Sequence, residues 1–193
     1  MRIGVIGTGA IGGAAIELFE DAGHEVLSGN SRGGVAEAVE FADVVLVAVP
    51  FGARGTLPVD ELAGKVVIDA MNYFPARDGQ VAELDNDETT SSELLWRVLG
   101  GDAAVVKAFN TMDAATLEED GRPAGAHDRL VLFVAGDDEL AKRTVLELID
   151  EIGFDPVDTG TLAVGGRLQQ PGGPLFGTSV TALEAQRLFG SAG

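Results

Sequence analysis

Gly7-Thr8-Gly9-Ala10-Ile11-Gly12 follows directly on the apolar run Arg2-Ile3-Gly4-Val5-Ile6. It precedes Ala14-Ala15-Ile16-Glu17-Leu18-Phe19, where apolar residues recur at helical spacing. Few six-residue stretches restrict a fold so tightly. A strand, a G-x-G-x-x-G turn and a helix in that order open a dinucleotide-binding sheet. Gly7 allows the tight turn, Gly9 lets backbone approach a pyrophosphate, and Gly12 lets the helix pack close to the strand. A diphosphate would then sit on the free N–H groups at the positive end of the helix. The competing reading is the same unit holding another nucleotide-like ligand, or none.

The residues that follow choose between cofactors. His24-Glu25-Val26-Leu27-Ser28 reads as a second strand, with His24 an exposed connector at its entry. An NAD-preferring unit places an acidic residue about 20 residues beyond the glycines, on the ribose 2′-hydroxyl. Asn30, Ser31 and Arg32 stand there instead. A hydroxyl and a guanidinium suit a 2′-phosphate, which a carboxylate would repel, so the spacing favours NADP(H) over NAD; a plain polar turn is the alternative.

Residues 34–41 read as a helix and 43–50 as a central strand buried on both faces, which sets Val49, Pro50 and Phe51 along the cofactor cleft. The strand 65–69 ends at Asn72, beside the nicotinamide half, either as a carboxamide partner or as a loop-shaping residue. Residues 75–90 read as a solvated acidic loop, and Thr90-Ser91-Ser92-Glu93 as a capping box opening a helix in which Trp96 packs inward or half-buried. The strand 103–109 runs into Asn110, a third polar strand terminus on one edge. A strand at 130–135, a helix at 139–152 with Leu140, Val145, Leu148 and Ile149 facing inward, and an edge strand at 154–158 that tolerates Pro156 complete the sheet. The Gly/Pro-rich stretch 160–177 is a lid over the nicotinamide edge or a cover for the sheet, followed by a helix at about 179–188. The fold expected is α/β: a Rossmann-type, doubly wound, mostly parallel sheet with helices on both faces and a short loop-rich C-terminal extension. Residues 1–160 would form the NADP-binding domain and 161–193 a lid or helix extension of it.

Charge limits the partners. With 31 acidic against 13 basic residues the net charge is −18. Such a surface repels nucleic acid and anionic lipid, and an anionic cofactor needs basic groups gathered at its site. A salt-rich cytoplasm or ordinary solubility would each account for the acidity. The absence of cysteine excludes disulfides and thiolate metal sites. The first strand begins at once after Met1, leaving no room for a signal peptide, and no apolar stretch nears the ~18 residues of a membrane span. A cytoplasmic protein is expected, without membrane or nucleic-acid partners.

Met1-Arg2-Ile3-Gly4-Val5-Ile6-Gly7-Thr8-Gly9, Gly29-Asn30-Ser31-Arg32, Val106-Lys107-Ala108-Phe109-Asn110-Thr111 and Ala135-Gly136-Asp137-Asp138 occur in that order. Together they resemble the NADPH-dependent F-420 (deazaflavin) oxidoreductases, and the module is similar to the cytoplasmic domain of membrane ferric reductases. The resemblance covers about residues 1–160. It implies hydride transfer between NADP(H) and coenzyme F-420 or a flavin-like acceptor, with the rings face to face. Thr8, Ala10 and Ile11 would then bind the pyrophosphate, Asn30, Ser31 and Arg32 the 2′-phosphate, and Asn72 and Asn110 would border the ring stack. No catalytic side chain or metal is needed, since the rings carry the reaction. The chain lacks the longer C-terminal helical segment usual in that family, which leaves the acceptor open: another flavin, a metal chelate, or a small carbonyl or imine. The alternatives are an imine or β-hydroxyacid-type NADP reductase and a non-enzymatic NADP-binding redox sensor. Pairing of two copies through the tail would be one way to close the site.

Overall fold

The computed structural model describes residues 1–190. Seven strands form one sheet: β1 (Arg2–Ile6), β2 (Glu25–Gly29), β3 (Val44–Val47), β4 (Val66–Asp69), β5 (Ala104–Lys107), β6 (Val131–Gly136) and β7 (Asp155–Asp158). Their order is β2-β1-β3-β4-β5-β6-β7, parallel throughout except that β6 runs antiparallel to β5. The sheet is thus mixed but mostly parallel, as expected. Pro156 lies in β7, on the sheet's edge, where its missing N–H costs no ladder bond.

Alternation along the strands decides which helices go where. In β3, Val44 and Leu46 join the core under α1 (Ala10–Asp21), α7 (Ala114–Glu119) and α8 (Glu139–Glu151). Val45 and Val47 join the opposite core, under α2 (Val35–Phe41), α3 (Val59–Leu62) and α6 (Ser91–Val98). A strand apolar on both sides can be satisfied only by helices on both faces.

Several expectations change at this level. Residues 75–90 are not wholly open loop: α4 (Pro75–Asp78) and α5 (Ala82–Asp85) each make one turn, the second anchored by the buried Leu84. Leu140 is 72% exposed, because Asp138 caps α8 through the amides of Leu140 and Ala141 and leaves Leu140 on the outer side of the first turn. Trp96 is 44% exposed, its indole edge lying over Gly101. His24 is not an exposed connector. It sits between the terminal amine, 3.2 Å from Nδ1, and Glu151, 3.1 Å from Nε2, and burial together with that amine lowers its pKa while Glu151 opposes the shift. The capping box forms as read, with Glu93 N–H donating to Thr90 Oγ1 and Thr90 N–H to Glu93.

The stretch after residue 160 packs on the sheet: Leu162 enters the second core, α9 (Gly165–Gln169) buries Gln169, and Leu175 and Ala185 cover Val131 and Phe133. The last helix, α10, spans Ala182–Gly190, and residues 191–193 of the expected extension lie outside the described residues. No helix among the described residues is long and apolar enough to cross a membrane.

Candidate functional site

From β1 the chain crosses to β2 on one side and then to β3 on the other, so the strand order reverses between β1 and β3. At such a point the loops diverge and leave a crevice outside the carboxyl ends of the strands. Here the crevice has a volume of about 680 Å³. Gly7, Thr8 and Gly9 come to it from β1, Asn30, Ser31 and Arg32 from β2, and Val49 and Pro50 from β3.

The turn geometry explains the glycines. Gly7 adopts φ +102°, and a side chain there would meet the Ala48 carbonyl at 2.4 Å. A Cβ on Gly12 would lie 1.8 Å from the Gly7 carbonyl oxygen, so only glycine lets α1 approach β1 this closely. Gly9 faces open space, with no atom within 4 Å of where a Cβ would project. It caps α1 with extended backbone, no side chain bonds to the helix N-terminus, and no acidic residue occupies the first turn. Among the described residues no side chain competes for an anion at that end.

At the end of β2, Asn30 and Gly33 exchange backbone hydrogen bonds of 3.0 Å, making a tight turn that carries Ser31 and Arg32 at its tip. The Asn30 amide holds the two halves of the crevice together. Its Nδ2 donates to Thr8 Oγ1 at 2.9 Å, and its Oδ1 accepts from the Arg32 N–H at 2.9 Å. The Asn30 side chain is therefore engaged in shaping the turn, while the Thr8 hydroxyl, used as an acceptor, keeps its own proton to donate. Among the described residues the Arg32 guanidinium makes no ion pair, although 31 carboxylates are available in the chain.

Other expected residues lie elsewhere. Ala10 is exposed on the first turn of α1, whereas Ile11 packs against the core. Phe51 does not line the crevice: its ring is fully buried, edge-on to Tyr73 at 5.5 Å, with Arg54 stacked at 4.4 Å. The chain turns inward after Pro50 into a 3₁₀ turn spanning Phe51–Thr56, which carries the aromatic ring into the core.

Asn72 and Asn110 meet each other rather than the glycine turn. Asn72 Nδ2 donates to the Asn110 carbonyl, and Asn110 Nδ2 donates to Asn72 Oδ1, both at 3.0 Å. Asn110 also donates to the Gln169 carbonyl at 2.8 Å, tying α9 to the strand ends. Phe109, just before, holds φ +65° with its ring buried edge-on against Phe19 at 5.8 Å. A bulky residue in that region costs about 1–3 kcal/mol and is typical of positions where the surrounding structure fixes a functional turn. Asn110 Oδ1 and Gln169 Oε1 are buried with no donor, a further local cost.

Beneath this knot lies a pair that the sequence reading missed. Lys107 and Asp69, adjacent in register on β5 and β4, are fully buried with Nζ and Oδ2 3.2 Å apart. Lys107 also donates to the Met71 carbonyl, Ser92 Oγ donates to Asp69 at 2.6 Å, and the Met71 N–H donates to Asp69 at 2.9 Å. Burial lowers the Lys107 pKa, while the Asp69 charge and hydrogen bond work against that shift. The signal was present as two opposite charges closing two neighbouring apolar strands.

No protein-family model matches the chain. It is 35% identical over 132 residues to the metalloreductase STEAP3 of Rattus norvegicus, covering 66% of this chain and 24% of the relative. It spans 48% of another curated relative, YjhV of Escherichia coli, at 37% identity over 67 residues. Among solved structures, a protein of Arthrobacter sp. FB24 assigned as an F420-dependent NADP reductase is 27% identical at TM-score 0.68, over 84% of this chain and 86% of that one. A set of dehydrogenases, imine reductases and related enzymes at 12–17% identity shares the fold alone, and this chain spans 55–57% of their length. The hypothetical protein SMa0349 of Sinorhizobium meliloti is 35% identical at TM-score 0.79, over 94% of this chain and 95% of that one. Agreement along nearly the whole of both chains places this protein in the same family as the Sinorhizobium protein, a family with the Rossmann-type dinucleotide-binding fold.

Proposed function

We propose that the chain is an NADP(H)-dependent oxidoreductase that reduces a small organic acceptor. The observation that carries the cofactor choice is Arg32, a guanidinium at the rim of the crevice without a carboxylate partner among the described residues, in a chain of charge −18. The residues present fit the group. The open face of Gly9 and the uncapped N-terminus of α1 would receive the pyrophosphate, with the Thr8 hydroxyl as an added donor. Ser31 and Arg32 would hold the 2′-phosphate, and Asn30 fixes the distance between the two phosphate sites by bridging their loops. Val49 and Pro50 offer an apolar wall. Because Asn72 spends both ends of its amide on Asn110, the geometry favours a loop-shaping role for it over direct carboxamide recognition. When bound, the nicotinamide supplies hydride; the protein's part is orientation and exclusion of water.

A deazaflavin acceptor is the second reading, favoured by the Arthrobacter structure at 27% identity. Equilibrium titration with NADPH and NADH tests the cofactor assignment. NADPH should bind more tightly, and Arg32→Glu should weaken it by about 10- to 100-fold while changing NADH by less than about threefold. Equal weakening of both would remove the 2′-phosphate assignment. Binding without turnover on any acceptor would identify a sensor.

A further inference from the structure

A second hollow, of about 230 Å³, opens at the other end of the strand edge, between Tyr73-Phe74-Pro75, Asp85 and Gln170-Pro171. Its place follows from the amide knot. Tyr73 follows Asn72 and Gln170 follows Gln169, and Asn110 binds both Asn72 and the Gln169 carbonyl. A dinucleotide held at Arg32 and the glycine turn would run across β1 and β3 toward β4, and the chain leaving β4 supplies Tyr73, Phe74 and Pro75 to this hollow. The aromatic and proline walls suit a flat guest. The charge comes from Asp85, which makes no ion pair among the described residues: Oδ1 accepts from the Tyr73 hydroxyl at 2.8 Å. The neighbouring charges cancel in pairs, Asp87 with Arg167 at 3.3 Å and Asp78 with Arg77 at 2.8 Å.

We propose that this hollow is the acceptor site and that it takes a small planar iminium cation in preference to a carbonyl compound or an anionic ring system. The proposal rests on the NADPH reading of the neighbouring crevice. A carbonyl acceptor becomes an alkoxide and needs a proton or a positive charge at its oxygen. The hollow has neither to give. The Tyr73 proton is committed to Asp85, burial and that carboxylate hold the phenol's pKa above its ordinary value, and both nearby guanidiniums are paired. An iminium needs no acid. Hydride from NADPH forms the new C–H bond with its two electrons, the C=N π pair becomes the nitrogen lone pair, and a neutral amine and NADP+ leave. Asp85 holds the cation beforehand and loses its attraction for the product, which favours release.

The test is calorimetric titration of the NADP+-loaded chain with N-methyl dihydroisoquinolinium and with α-tetralone, an uncharged carbonyl compound of similar shape. The cation should bind about tenfold more tightly than the ketone. Asp85→Asn should erase most of that preference while leaving NADP+ affinity unchanged; Tyr73→Phe, which keeps the ring and frees the carboxylate, should retain it, as should the remote Asp21→Asn. NADPH oxidation should follow the same order, iminium before ketone. Equal binding of the two probes, or a preference that survives Asp85→Asn, would overturn the proposal. If the cation binds but NADP+ does not, the cofactor reading fails and the pocket assignment stands; if NADP+ binds and neither probe does, the pocket assignment fails.

Discussion

Two residues illustrate how differently side chains report themselves. Arg32 could be placed at the crevice from sequence because the turn about 20 positions after the glycines is found by a local spacing. Lys107 was not legible in this way, because its meaning depends on Asp69, 38 positions away and brought alongside only by strand pairing. A buried pair of this kind gains little over an apolar one but is costly to break. Lys107→Met should therefore destabilise the fold by about 3–5 kcal/mol, leaving Asp69 buried and uncompensated. Adding Asp69→Asn to Lys107→Met should recover part of the loss, and a double-mutant cycle of urea melts measures the coupling. Asn30 falls between the two: its position in the crevice was anticipated, but its use as a bridge between Thr8 and Arg32 is tertiary.

At the scale of elements, strands and long helices followed from apolar periodicity, whereas the stretch 75–90 did not. Its single-turn helices are set by contacts from outside. Asp78 has a side chain only 1% exposed and accepts from the Gly52 N–H at 3.0 Å and the Phe74 N–H at 2.9 Å, tying α4 to the 3₁₀ turn. The Arg77 guanidinium and those amides hold its carboxyl at about 2, below the ordinary 3.8, against the opposing effect of burial. Because the folded value lies below the unfolded one, this carboxylate stabilises the protein above about pH 4, and the contribution is lost as pH falls toward about 2. Asp78→Asn should cost about 1–2 kcal/mol at neutral pH and close to nothing at pH 2, read from denaturant melts at both. The same reasoning explains the exposed Leu140: a cap selects which side of a first turn faces out, and periodicity alone assigned it inward.

For the whole molecule, a charge of −18 on 193 residues makes self-repulsion a standing cost that salt reduces. The melting temperature should rise steadily as KCl increases from about 0.05 to 2 M, over which the Debye length falls from above 10 Å to below 3 Å. A flat profile would show that the acidic surface is not limiting. The same measurement with NADPH present separates the protein's gain from the weaker binding of an anion at high salt. By itself the sequence determined the opening strand–turn–helix unit, the doubly wound class, the polar turn Asn30-Ser31-Arg32 and the polar character of three strand ends, because each depends on residues close together in the chain. Only the tertiary structure decided that β6 turns antiparallel, that Phe51 belongs to the core, that Asn72 is spent on Asn110, and that α9 is tied to the same edge. Those outcomes depend on which distant groups satisfy a buried donor, acceptor or ring, and that is fixed when the layers pack.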